Sequence, residues 1–190
     1  MIMQHVIDVE GNYYRYIKID GLHWTIDNFR CQSYSNGDPV IRALDDQEYL
    51  SAGNQAKGVV CDINNDSSLS DIHGKLYNWF AVHDNRRLAP EGWRIPSEED
   101  WLKIEIHIAS ERAEGVDCTE KYNLQYSGSR GINGAFGGYG KSGYWWRSMP
   151  ESQSLMENWG RRLNLNANSF EKIDGFQRFG FSVRLVKDAL

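Results

Sequence analysis

The stretch that decides the fold is residues 144–186, YWWRSMPESQSLMENWGRRLNLNANSFEKIDGFQRFGFSVRLV. It opens on a tryptophan pair, Trp145 and Trp146, and closes on Phe181, Val183 and Leu185 at every second position. Between these ends runs a polar segment with single apolar residues set into it. An apolar period of two marks strands, because successive side chains of a strand point to opposite faces. The stretch therefore predicts short antiparallel strands pinned at both ends by buried rings and aliphatic chains. Its ends are core, and its middle is a display surface.

Composition agrees with such a fold. A chain of 190 residues is expected to form one domain, residues 1–190, with a substantial core. Seven Trp and ten Tyr beside 18 Gly point to a loop-rich fold stapled by aromatic clusters rather than a helix bundle. The formal charge of -5 counts against a nucleic-acid partner, which requires a basic face. No run approaches the roughly 18 apolar residues of a membrane span, so no membrane insertion is expected. The opening MIMQHVIDVEGNYY lacks a basic segment followed by an apolar one. As written it carries no signal peptide, and the chain is expected to be made in the cytosol. Cys31, Cys61 and Cys118 contain no CxxC pair and read as reduced structural thiols, a Cys31–Cys61 bridge being the alternative.

Outward from the deciding stretch, residues 6–30 read as a two-strand unit with turn signals at Glu10-Gly11-Asn12 and Asp20-Gly21. Residues 33–55 read as loop with little core, Asp45 to Leu50 offering one short helical turn. Val59, Val60 and Cys61 form a buried strand, and LYNWFAV (76–82) lies inside. Asp62, Asn64 and Asp66 have the spacing that opens a calcium loop, but Ser67 stands where the loop needs Gly and His73 where it needs Glu, so no metal is expected. Ser97 followed by Asp100 is a capping box, which predicts the one clear helix near residues 98–110. Residues 111–125 read as polar surface. Seven glycines between Gly128 and Gly143 read as irregular backbone packed on aromatic rings, not as a phosphate cradle, because an aromatic strand follows them instead of a helix.

Four of these motifs, in this order, carry a family resemblance: LYNW, the Pro-x-Gly-Trp-x-x-Pro-Ser pattern at 90–97, GYWW at 143–146 and GFSVR at 180–184. Over roughly residues 8–188 the chain resembles the Fibrobacter succinogenes major paralogous domain. The resemblance implies an α+β, C-type-lectin-like fold, related to the formylglycine-generating-enzyme branch and to the variable proteins of diversity-generating retroelements. In such relatives the last third forms the ligand face, which implies a probable ligand face within residues 144–180 here. Members act as binding modules on bacterial cells or phage particles. Many carry Cys where this chain has Ala89 and Leu185; losing both fits a protein that folds in a reducing compartment.

The expected function is thus a non-enzymatic recognition or adhesion module, a phage or cell-surface receptor-binding protein or a retroelement-diversified variable protein. Along GRRLNLNANSF, Leu163 and Leu165 alternate with Arg162, Asn164 and Asn166, so one face is core and the other a row of donors and acceptors. The candidate ligand contacts are Arg147, Trp159, Arg161, Asn164, Asn166, Asn168, Phe176 and Arg178, rigid rings and adaptable polar groups of the kind binding surfaces use. A protein ligand or receptor is expected ahead of a glycan, with a homo-oligomer or a virion assembly as a further partner. No cofactor is expected. The alternatives are a structural decoration subunit, calcium-dependent glycan binding, and a formylglycine-generating-type enzyme. The last needs paired cysteines late in the chain, and none follows Cys118.

Overall fold

The computed structural model describes residues 4–149, 159–165, 167 and 169–189. In chain order its elements are β1 (Gln4–Ile7), β2 (Tyr13–Ile19), β3 (Leu22–Thr25), β4 (Ile41–Ala43), α1 (Asp46–Asn54), β5 (Val59–Cys61), two short 3-10 turns, α2 (Ser70–His73), β6 (Leu76–Tyr77), α3 (Trp79–Val82), α4 (Glu98–Ala113), α5 (Cys118–Lys121), β7 (Ser127–Arg130), β8 (Phe136–Tyr139), β9 (Ser142–Trp146), β10 (Gly160–Asn164), β11 (Glu171–Ile173) and β12 (Val186–Asp188). The class is α+β. No helix among the described residues is long and apolar enough to cross a membrane.

The strands form three sheets. The first has the order β1-β2-β3-β12 and is antiparallel throughout. Its β2–β3 turn is Asp20-Gly21 with both residues at positive φ, 45° and 79°, the mirror-image turn whose twist matches a two-residue hairpin. Residues 6–30 contribute to three strands rather than two, because β1 precedes the turn at Asp8–Asn12. There the Asp8 carboxylate accepts from the backbone of Glu10 and Asn12 at 2.9 and 3.0 Å and from the Tyr14 hydroxyl at 2.5 Å.

The second sheet has the order β11-β10-β9-β7-β8, and the third is β4-β5-β6 with the all-buried β5 in its centre. The glycine-rich stretch is not irregular, as expected from sequence, but supplies β7, β8 and the start of β9. Gly128 explains why glycine is needed there: at φ 69°, a side chain would meet the Gly137 oxygen at 2.5 Å and the Tyr139 nitrogen at 2.7 Å.

Residues 180–186 join the three sheets. Gly180 bridges Arg130 in the second, Phe181 bridges Tyr77 in the third, Ser182 bridges Trp145 in the second, and Val186 pairs with Trp24 in the first. Around this segment packs a core of Tyr14, Phe29, Tyr77, Trp146, Trp159, Phe181, Val183 and Leu185. A second cluster sets Trp101, Ile104 and Ile108 of α4 between Ile19, Trp24 and Val186 on one side and Trp145 and Leu163 on the other. That spacing is helical, so Leu102 and Ile106 stay exposed.

Three expectations need correction. Helix α4 runs to Ala113, a turn beyond residue 110, because Glu111 in its last turn accepts from the Tyr122 hydroxyl at 2.6 Å and from Lys121 at 2.5 Å. Residues 33–55 hold real core: Tyr34, Val40 and Tyr49 are buried, and α1 has 9 residues with Asp45 capping the Glu48 nitrogen at 2.8 Å. Residues 111–125 likewise bury Cys118, Tyr122 and Leu124. All three cysteines are buried and unpaired. The Asp62 carboxylate is taken up by Lys75, Ser70 and Arg42.

Candidate functional site

Strand parity divides the last third of the chain into two faces. In β10, Arg161 lies opposite Trp145 and Lys172, whereas Arg162 lies opposite Tyr144 and Glu171. Trp145 and Leu163 pack on α4. Arg161 shares their face, and its guanidinium, fully buried, pairs with Glu105 and with Glu98 at 2.9 Å. Lys172 joins the same Glu98 oxygen at 2.6 Å. Burial would raise the Glu98 carboxyl, but the bonds from Arg161 and Lys172 outweigh it and hold Glu98 at about 2. Glu105 is raised by burial, which its bond to Arg161 does not offset.

The opposite face is core at Trp146 and opens, only half-buried, from Tyr144 outward. Arg162 donates to Glu171 from Nε at 2.9 Å and also from Nη2. Glu171, aided by Tyr144, raises the Arg162 guanidinium, so the cation is permanent. Ser142 donates to Asn164 at 2.7 Å, and Asn164 donates on to Glu171 at 3.4 Å. Tyr144, Arg162, Asn164 and Glu171 are all half-buried, so their donors and acceptors are held in place yet reachable.

From Tyr144 a series of rings leads to the surface. Tyr144 stacks on Phe181 at 5.4 Å, Phe181 on Phe179 at 5.5 Å, and Phe179 on Phe176 at 6.0 Å, with interplanar angles of 18°, 20° and 23°. Phe181 is buried, while Phe176 is 63% exposed. The turn that carries Phe176 is fixed along its length. Gln177 accepts from the Trp79 nitrogen at 3.0 Å, Phe179 donates to the Phe176 oxygen at 2.8 Å, and Gly180 exchanges two backbone bonds with Arg130. An exposed ring on a hydrogen-bonded turn loses less entropy on contact than one on a free loop.

The eight contacts expected from sequence are therefore split. Phe176, Arg178 and Asn164 lie on the open face or its turn. Arg147, Trp159 and Arg161 do not: each is buried, Trp159 edge-on to Trp79 at 4.5 Å and Arg147 3.5 Å from Glu98. Asn166 and Asn168 lie outside the described residues. Leu165 is exposed because β10 ends at Asn164 and the alternation stops there. Sequence reasoning placed Arg162 in the polar row but left it out of the contacts, and missed Tyr144 and Glu171. The same alternation excludes Arg161, which shares the side of the buried Leu163.

One separate cleft, of about 560 Å³, is lined by Tyr34, Trp79, Phe80, His83, Asp84 and Arg86 among others. Its rings are already occupied: Arg86 lies over Tyr34 at 4.0 Å and His83 stacks on Trp79 at 3.2 Å.

The family model of the Fibrobacter succinogenes major domain matches residues 17–118, more than half of the chain. The chain belongs to that family. The matched part of the Fibrobacter succinogenes major domain runs from β2 to the first residue of α5, and so includes the LYNW and Pro-x-Gly-Trp motifs. The open face and its turn lie beyond the matched residues. No curated protein and no solved structure matches the chain.

Proposed function

We propose that this Fibrobacter succinogenes major domain protein is a non-enzymatic recognition module that binds a protein ligand or receptor through the open face of β9–β11 and the 175–180 turn. In this reading the scaffold is C-type-lectin-like, and the protein acts on a bacterial cell surface or a phage particle, its face open to diversification. The observation that carries the reading is the ring series ending at Phe176, beside a prearranged Arg162–Glu171–Asn164 network. Aromatic and guanidinium groups on a rigid support are the chemistry of binding hot spots. The buried Phe181, Val183 and Leu185 support the scaffold, since the GFSVR end closes the core as the resemblance implies. The thiols count against thiol-based chemistry only: burial raises all three, Cys61 to about 11.

The test is a binding screen of the purified protein against bacterial cells, surface-protein fractions and a glycan array, each with and without calcium. Saturable, chelator-resistant binding to a protein fraction is expected. Phe176→Ala with Arg162→Ala should weaken it at least about tenfold, while the melting temperature moves by no more than a few degrees. Binding that ignores both substitutions sinks the proposal, and binding that needs calcium replaces it with a glycan reading.

A further inference from the structure

Resting on that recognition reading, we infer the chemistry of the partner: an acidic side chain next to an apolar one, taken by Arg178 and Phe176 together. Arg178 is half-buried two residues after Phe176 on the fixed turn, and its position is set by α1. Its methylene stem lies along Gly53, where a methyl group would stand 3.3 Å from Cγ and 3.4 Å from Cδ. Its Nη1 donates to the Asn54 side chain.

Two features of this arrangement are unusual for a structural arginine. The buried arginines of this chain are matched by carboxylates or backbone oxygens: Arg130 by Asp46, Arg161 by Glu98 and Glu105, and Arg184 by three carbonyls. The exposed Arg86 is matched by Asp84 and Asp38. Arg178 differs, since among the described residues no carboxylate lies within the 4.0 Å of an ion pair and its partner is a neutral amide. Second, α1 has glycine at position 53 in its last turn, a residue that weakens a helix interior. A side chain there would press the Arg178 stem outward by a few tenths of an ångström. The chain thus anchors a cation on α1 with no carboxylate partner among the described residues, and Phe176, 63% exposed, stands two positions earlier on the same turn. An oriented, unneutralised guanidinium is suited to a carboxylate, which it can meet with two parallel hydrogen bonds. The exposed ring on the same turn then favours an apolar group within a few residues of that carboxylate.

The experiment is selection of random linear peptides, displayed on their own messenger RNA, against immobilised wild-type protein. Enriched peptides should carry Asp or Glu within a few residues of Leu, Ile, Met or Phe. Their binding should fall at least about tenfold with Phe176→Ala and with Arg178→Gln, and about as much as salt is raised, as for an exposed ion pair. Arg178→Glu should enrich Lys or Arg in place of the acidic residue. Thermal melting of each variant, expected within a few degrees of wild type, separates loss of contact from loss of fold. Peptides without acidic bias that still need Phe176 overturn this inference and leave the recognition face standing. Peptides indifferent to both substitutions overturn both. No enrichment above an unrelated immobilised protein also overturns the inference, because the pair then takes no acidic-apolar chain.

Discussion

Arg184 ties the end of β3 to the end of α5. Its Nε donates to Asn28 at 2.7 Å, and its terminal nitrogens donate to the carbonyls of Thr25, Tyr122 and Asn123 at 3.0, 3.1 and 2.6 Å. Burial lowers the guanidinium to about 9, still charged at neutral pH. Arg184→Met would fill the volume and leave those oxygens without donors. We expect a loss of about 3 kcal/mol in urea denaturation, since unpaired buried carbonyls are costly. His83 gives a pH signature. Burial, with the nearby Arg147 charge, lowers it from 6.5 to about 4, and its Nε2 accepts from the Met149 nitrogen at 3.3 Å. Between those pH values the unfolded chain binds a proton that the folded chain refuses. Stability therefore rises with pH across that window and is complete above 6.5. His83→Gln keeps an acceptor but does not titrate, so between pH 7 and pH 4 its unfolding free energy, read by urea denaturation, should fall by up to about 3 kcal/mol less than that of wild type. An equal pH slope in both proteins would show that His83 is not the group responsible. At this scale the sequence is least legible. Arg130, Arg147, Arg161 and Arg184 are all buried, and nothing in composition separates them from the exposed arginines, because each is buried by partners distant in the chain.

At the scale of elements the beginnings are legible and the ends are not. Ser97 accepts from the Asp100 nitrogen at 3.2 Å and Asp100 accepts from the Ser97 nitrogen at 2.7 Å, the capping box that four consecutive residues announce. Ser97→Ala should lower stability by about 1 kcal/mol, with faster amide exchange in the first turn of α4 as the check. The far end of α4 depends on Tyr122 and Lys121, which local sequence does not reveal as neighbours of Glu111. The Val59–Cys61 strand and the LYNW run are legible for a different reason: they are apolar enough that only burial suits them. Asn78 in that run is polar yet fully buried, because its side chain accepts from Val59 and Ala81 at 2.9 and 3.0 Å and donates to Lys57 at 2.8 Å. The glycine-rich strands were illegible because glycine usually weakens strands, and only the close approach of β7 to β8 makes it necessary.

For the whole molecule, the aromatic ends of residues 144–186 disclosed the core, but not that one short segment would serve three sheets. Gly180 tests this. A methyl group there would sit 2.8 Å from the Tyr49 hydroxyl and 3.0 Å from Arg130 Cβ. Gly180→Ala should destabilise the protein by about 2–3 kcal/mol and speed hydrogen exchange in all three sheets together. If only the strands next to Gly180 respond, the sheets are not one cooperative unit.

The segment that joins the sheets is also synthesised after every element it joins. While a ribosome is still adding residues up to 179, β3, β6 and β7 already exist as chain but lack the strand that brings them together. Contacts between residues so far apart close slowly. Until residues 180–186 emerge, the tryptophans and sheet edges that this segment covers lack their partner, which is the condition under which nascent chains expose apolar surface.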